Sequence, residues 1–161
     1  MKKLILVRHG KSSWENPLED VERPLKKRGY EDAEIITKAF AHYFEKPAKF
    51  YTSKAVRART TAEIFKEKLK IDDKDFAVEP DLYTFDEERI LDFIKSQDDA
   101  VDQLMIFGHN PAFTALANEL GDEFIDNVPT TGLVVISFEE SSWSKVSQGK
   151  TLLTLFPKNF K

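Results

Sequence analysis

The sequence predicts an α/β fold around a largely parallel sheet, and three observations carry that expectation. Short apolar runs alternate with segments whose apolar residues recur at helical spacing. The first run, Leu4–Val7, is apolar throughout, as in a central strand covered on both faces. The 161 residues, 41% hydrophobic and 32% charged, have an ordinary globular balance. That length suits one domain spanning residues 1–161, and thirteen Phe imply a core packed partly with rings.

Taken in order, Leu4–Val7 is the first strand and Lys11–Arg23 a polar loop carrying Asn16-Pro17. A helix is expected after Pro24, over about Lys27–Phe44, with Ala33, Ile36, Phe40 and Tyr43 on its buried face. Gly29 near its start costs ~1 kcal/mol of helix propensity relative to Ala. Phe50–Thr52 is a second strand, followed by a helix over Arg57–Leu69 with Ala58, Ala62, Phe65 and Leu69 on one stripe. Phe76–Val78 is a third strand, and Glu87–Lys95 a helix presenting Ile90, Leu91 and Ile94. Gln103–Phe107 is a fourth strand. The helix Pro111–Leu120 follows, its Pro placed where a missing N–H does no harm. Val134–Phe138 and Leu152–Phe156 close the sheet as an antiparallel edge pair around the loop Glu139–Lys150.

Composition excludes several classes. Lys and Arg total 24 against 28 for Asp and Glu, a formal net charge of −4, which argues against nucleic acid as the main partner. Lys26-Lys27-Arg28 reads as a solvated helix face. With no Cys, disulfides, thiolate catalysis and cysteine-ligated zinc are excluded, and a reducing cytoplasm fits. The opening apolar stretch is of strand length, too short for a signal peptide, and no run reaches membrane-spanning length.

The chemistry gathers on one rim. In open α/β sheets, ligands bind beyond the carboxyl ends of the strands. Arg8-His9-Gly10 follows the first strand, Ser53 and Arg57 the second, Asp81 the third, and Gly108-His109-Asn110 the fourth. Two of the three histidines therefore lie there with two arginines and a carboxylate. These residue types suit phosphoryl transfer: a neutral imidazole is a good nucleophile toward phosphorus, and guanidiniums hold non-bridging oxygens by paired hydrogen bonds. At an effective dielectric near ~20, a unit charge ~4 Å away opposes protonation by roughly 4 kcal/mol. Arg8 and Arg57 thus favour the neutral base. His109 and N–H groups near a helix start supply further donors.

Arg8-His9-Gly10 after an N-terminal strand resembles the signature of the histidine phosphatase (phosphoglycerate-mutase-like) superfamily. So do Ser53-Lys54-Ala55-Val56-Arg57-Ala58-Arg59-Thr60-Thr61-Ala62 and Phe107-Gly108-His109-Asn110-Pro111. Arg23-Pro24-Leu25, Arg28-Gly29 and Asp81-Leu82-Tyr83 are more closely similar to the SixA-type phosphohistidine phosphatases. The likeness implies a three-layer α/β/α sandwich with a mostly parallel central sheet, and a phosphatase that needs no cofactor and no metal. It implies His9 as transient phosphate acceptor, its ring oriented by the Gly10 carbonyl. Arg8, Arg57 and His109 would complete the phosphate pocket, with Arg23 at its edge. Ester-cleaving members use an acid near the third strand; Asp81 is the aligned candidate, and a plain strand-end carboxylate is its other reading. Asn16 either touches phosphate or begins the Asn-Pro turn.

The implied substrate is a phosphorylated protein carrying phosphohistidine. The alternatives are a small phosphate ester, or a catalytically idle phospho-ligand module on the same fold. A mutase would need a cap, and no insertion is long enough to build one; neither Lys11–Arg23 nor Leu82–Glu87 is expected to fold over the rim. Three dispersed histidines give no metal-ligand spacing. His109 could instead cap the following helix, His42 reads as a partly buried structural histidine, Arg59 as a surface residue, and Asp72-Asp73-Lys74-Asp75 as a turn.

Overall fold

Alternation along the first strand decides how the layers stack. The structure is a computed structural model describing residues 1–15 and 18–161. In β1 (Lys2–Arg8), Leu4 and Leu6 point to one face and Ile5 and Val7 to the other, because successive strand side chains do. Leu4 and Leu6 pack with α3 (Glu87–Lys95) and α4 (Ala112–Leu120); Ile5 and Val7 pack with α1 (Lys27–Phe40) and α2 (Val56–Lys68). Each face is thus covered by two helices. The continuous apolar run reflects that double burial.

The six-stranded sheet adds β2 (Lys49–Thr52), β3 (Phe76–Val78), β4 (Gln103–Gly108), β5 (Leu133–Phe138) and β6 (Lys150–Leu155), in the order β3-β2-β4-β1-β5-β6. The first four neighbours run parallel, while β5 is antiparallel to both β1 and β6. The expected three-layer architecture is therefore present. Aromatic rings fill much of the α1/α2 face, with Phe107 edge-on to Phe65 at 5.3 Å and tilted against Phe50 at 5.7 Å.

Three expectations for α1 need correction. The helix ends at Phe40, and Ala41–Tyr43 form a turn in which Tyr43 N–H donates to the Phe40 carbonyl at 2.9 Å, a three-residue bond that tightens the chain. This swings Phe44 back against Phe40 and Phe50 and turns Tyr43 outward, so Tyr43 leaves the buried face and His42 is exposed rather than partly buried. Gly29 has its own reason to be there. A Cβ at that position would lie 2.7 Å from the Lys11 carbonyl oxygen, so the helix start packs directly against the segment leaving β1.

The Glu139–Lys150 segment lies far from the carboxyl ends of the strands. Its Trp143 is fully buried beneath Phe138, donates to the Val101 carbonyl at 2.6 Å, and packs near the buried Lys2 amine. No helix among the described residues is long and apolar enough to cross a membrane.

Candidate active site

Register brings the two histidines together. Because Val7 pairs with Phe107 and Arg8 with Gly108, the next residues, His9 and His109, emerge side by side from adjacent parallel strands. His9 N–H donates to the Gly108 carbonyl at 3.0 Å, and the ring centroids are 5.2 Å apart. Both rings are buried. On the next strand, Ser53 N–H bonds the Phe107 carbonyl at 3.0 Å, which starts α2 where Arg57 turns inward. Arg57 is only 2% exposed, so its guanidinium must satisfy its donors within the site.

Two hydrogen bonds settle the His9 tautomer. Nδ1 lies 2.7 Å from the Gly10 carbonyl, which only accepts, so Nδ1 carries the proton. Arg57 Nε, which only donates, lies 3.4 Å from Nε2, so Nε2 carries the lone pair. The same reasoning applies to His109. Arg57 Nη2 donates toward Nδ1 at 3.4 Å, and Nε2 donates to Ser53 Oγ at 2.8 Å. His109 therefore does not cap the following helix with its ring; Asn110 Oδ1 accepts the Thr114 N–H instead, at 3.0 Å.

Electrostatics keep both rings neutral. Burial pushes His9 down most strongly. The charges of Arg57, Arg8 and Arg23 add to it against the opposing pull of the Gly10 carbonyl, and the pKa falls to about 4. Burial, followed by the neighbouring His9 and Arg57 charges, lowers His109 to about 3. A neutral imidazole with its lone pair facing a guanidinium can attack an electrophilic phosphorus held by that guanidinium.

The remaining expected site residues divide. Arg8 gives Nη1 to the Val128 carbonyl at 3.0 Å, while its buried Nε has no acceptor among the described residues, an N–H available to an anion. Arg23 is buried at the edge, bonded to Ser12 Oγ at 2.7 Å and stacked 3.5 Å from the Trp14 ring centre. Asn16 lies outside the described residues. Asp81 is exposed and, among the described residues, pairs with the similarly exposed Arg89 at 3.5 Å. Arg59 is on the surface beside Glu63. Among the described residues, no group of three or more His, Cys, Asp or Glu is placed to hold a metal ion.

Sequence reasoning passed over three residues that belong to this cluster. Asp20 accepts from Arg57 and from the Tyr83 hydroxyl, so the Lys11–Arg23 segment reaches the pocket through a second residue besides Arg23. Burial works to raise its carboxyl, but hydrogen bonds from Tyr83 and Arg57 and the charges of Arg57 and Arg23 outweigh it and hold it at about 2. Tyr83 also lies edge-on to His109 at 5.4 Å. Thr131 is fully buried with φ of 59°, and its N–H is shared between the Arg8 and His9 carbonyls at 3.1 Å each. For a β-branched residue that backbone costs on the order of 1–3 kcal/mol. An acid three residues before Arg23 signals a local turn; nothing local points from Asp20 to Arg57, 37 residues on.

Comparison with known proteins places the fold and the family. The profile of the histidine phosphatase superfamily (branch 1) matches residues 4–86. The fold is similar to that of the protein histidine phosphatase SixA complexed with tungstate, with a TM-score of 0.83, 20% identity and 99% of each chain covered. It is also similar to an Agrobacterium tumefaciens protein assigned as phosphohistidine phosphatase SixA, with a TM-score of 0.81, 26% identity, and 96% and 97% of the two chains covered. A mycobacterial glucosyl-3-phosphoglycerate phosphatase shares the fold more distantly, with a TM-score of 0.69, 13% identity, and coverage of 95% and 98%. None of the curated protein sequences matches the chain.

Proposed function

The chain belongs to the histidine phosphatase superfamily and is a phosphatase, and from that premise we propose that it works without metal through a phosphohistidine formed at His9, removing phosphate from histidine displayed on a protein. The observation that carries this reading is the pair of hydrogen bonds that leaves the Nε2 lone pair of His9 facing Arg57. That lone pair attacks phosphorus in line. The N–P bond forms as the bond to the leaving atom breaks, and the leaving group takes that electron pair. Arg57, Arg8 and His109 hold the non-bridging oxygens; the charge of the incoming dianion favours protonation of His109, which then donates. Water attacks the phosphohistidine next, releasing inorganic phosphate and restoring neutral His9.

The surroundings also support a nitrogen-linked substrate. The carboxylate at the cluster, Asp20, is held ionised, and its oxygens already accept from Arg57, Tyr83 and Arg23. Asp81 is occupied elsewhere in solvent. An alkyl phosphate leaves as an alkoxide and needs a donated proton, typically worth ~10²–10⁴ in rate. A phosphohistidine whose second ring nitrogen is already protonated leaves as neutral imidazole and needs none. We take the 161 residues as one catalytic domain, and the reducing cytoplasm is the compartment that suits a chain without Cys.

The test has three readings. Protein quenched after brief exposure to labelled substrate should carry acid-labile, base-stable phosphate on His9, and His9→Ala should abolish both label and turnover. Chelators should leave activity intact while vanadate inhibits. Finally, kcat/KM for a phosphorylated histidine-containing domain should exceed that for metabolite esters; an ester preferred by about tenfold or more would overturn the substrate assignment and leave the His9 chemistry standing.

A further inference from the structure

The guanidinium of Arg57 has two edges, and they face different partners. Its inner edge, Nε and Nη2, points to His9 Nε2 and His109 Nδ1, each at 3.4 Å. Its outer edge is held by one residue. The Asp20 backbone carbonyl accepts from Nη1 at 2.6 Å, and Asp20 Oδ2 accepts from Nη2 at 3.0 Å. Oδ2 also takes the Tyr83 hydroxyl at 2.6 Å, while Oδ1 meets Arg23 Nη2 at 3.3 Å and Nε at 3.4 Å. A planar fork gripped on one side by a carbonyl and a charged oxygen has little freedom left about its last torsions.

We propose that Asp20 is a positioning residue for phosphoryl transfer, gripping Arg57 by its outer edge so that the Nε–Nη2 edge stays aimed between the two histidines. The inference rests on the phosphatase reading given above and assigns a role to a residue that reading does not use. Two other roles for Asp20 fit the geometry less well. As a proton donor it would need a free oxygen and a proton, and its oxygens already accept hydrogen bonds from four donor groups. As a plug competing with phosphate it would sit on the inner edge, between the rings, and it sits on the other side. Tyr83 completes the grip. Its hydroxyl fixes the carboxylate from the turn after β3, so the Lys11–Arg23 segment, that turn and α2 meet at a single pair of oxygens.

Positioning and plain structural support predict different couplings. Asp20→Asn keeps the backbone carbonyl and the side-chain shape but removes the charge, and losing a charge-assisted hydrogen bond corresponds to roughly tenfold or more. Orthovanadate affinity, read by calorimetry, and kcat on p-nitrophenyl phosphate should fall together by about that factor, with KM changing less. Tyr83→Phe should move both in the same direction by a smaller factor. In an Arg57→Ala background, Asp20→Asn and Tyr83→Phe should each have almost no further effect, because the group they position is gone. Thermal unfolding identifies any variant that fails to fold; should Asp20→Asn do so, the Tyr83→Phe cycle with Arg57→Ala reads the same coupling. Tighter vanadate binding in Asp20→Asn would establish a plug, and losses that simply multiply with Arg57→Ala would establish general support; either overturns the proposal. A wild-type protein that neither binds vanadate nor turns over substrate would instead bring down the phosphatase reading, and this inference with it.

Discussion

Acid should weaken this fold through its two buried imidazoles, and the size of the effect follows from their surroundings. An unfolded chain binds a proton on each histidine near 6.5, whereas in the fold His9 waits until about 4 and His109 until about 3. As pH falls through that window the unfolded state gains protons that the native state refuses, so stability drops as pH drops. Each such proton gives a slope of about 1.4 kcal/mol per pH unit. Between pH ~6 and ~4.5 the two rings together approach a slope of ~3 kcal/mol per unit, or ~4 kcal/mol over the interval, against a total of about 5–15 kcal/mol for a typical domain. His9→Gln removes one of the two titrating groups and should roughly halve the slope. Urea unfolding at a series of pH values, followed by fluorescence of the buried Trp143, measures it directly. The slope is the quantity of interest, because the substitution also shifts stability at every pH. Identical slopes for the wild type and His9→Gln would mean that His9 is already charged in the folded protein. The neutral nucleophile would then be untenable.

Three further outcomes are expected. The acid limb of kcat/KM, corrected for substrate ionisation, should lie below pH ~5 and not near 6.5, since the free enzyme keeps His9 neutral down to about 4. Asp81→Asn should change ester hydrolysis less than about twofold, given its exposed pairing with Arg89; a hundredfold loss confined to alkyl esters would restore it as the acid. Gly29→Ala sets two effects against each other. Helix propensity favours Ala by ~1 kcal/mol, but the new Cβ would lie 2.7 Å from the Lys11 carbonyl and 3.0 Å from Leu25 Cδ2. Overpacking of that kind costs ~1–3 kcal/mol, so the melting temperature should fall; a rise would show that the helix start can yield.

Much of the molecule is legible in its residues taken locally. The apolar run Leu4–Val7, the helical spacing of Ala58, Ala62 and Phe65, and the third strand at Phe76–Val78 all carry their structure in short-range pattern. Arg8, His9, Arg57 and His109 could be placed on one rim for the same reason, because a residue following a parallel strand emerges at the sheet's carboxyl edge wherever that strand sits. Other features depend on which segments become neighbours. That His9 faces His109 requires β4 to insert between β1 and β2, a matter of strand order. His42 and Tyr43 end up exposed because the chain leaves the helix at Phe40 to bring Phe44 into the core, a packing choice that helical spacing does not register. The grip of Asp20 and Tyr83 on Arg57, and the left-handed Thr131 shared by the Arg8 and His9 carbonyls, are products of tertiary structure alone. Period and propensity act over a few residues, whereas a buried guanidinium must find acceptors wherever the finished fold supplies them.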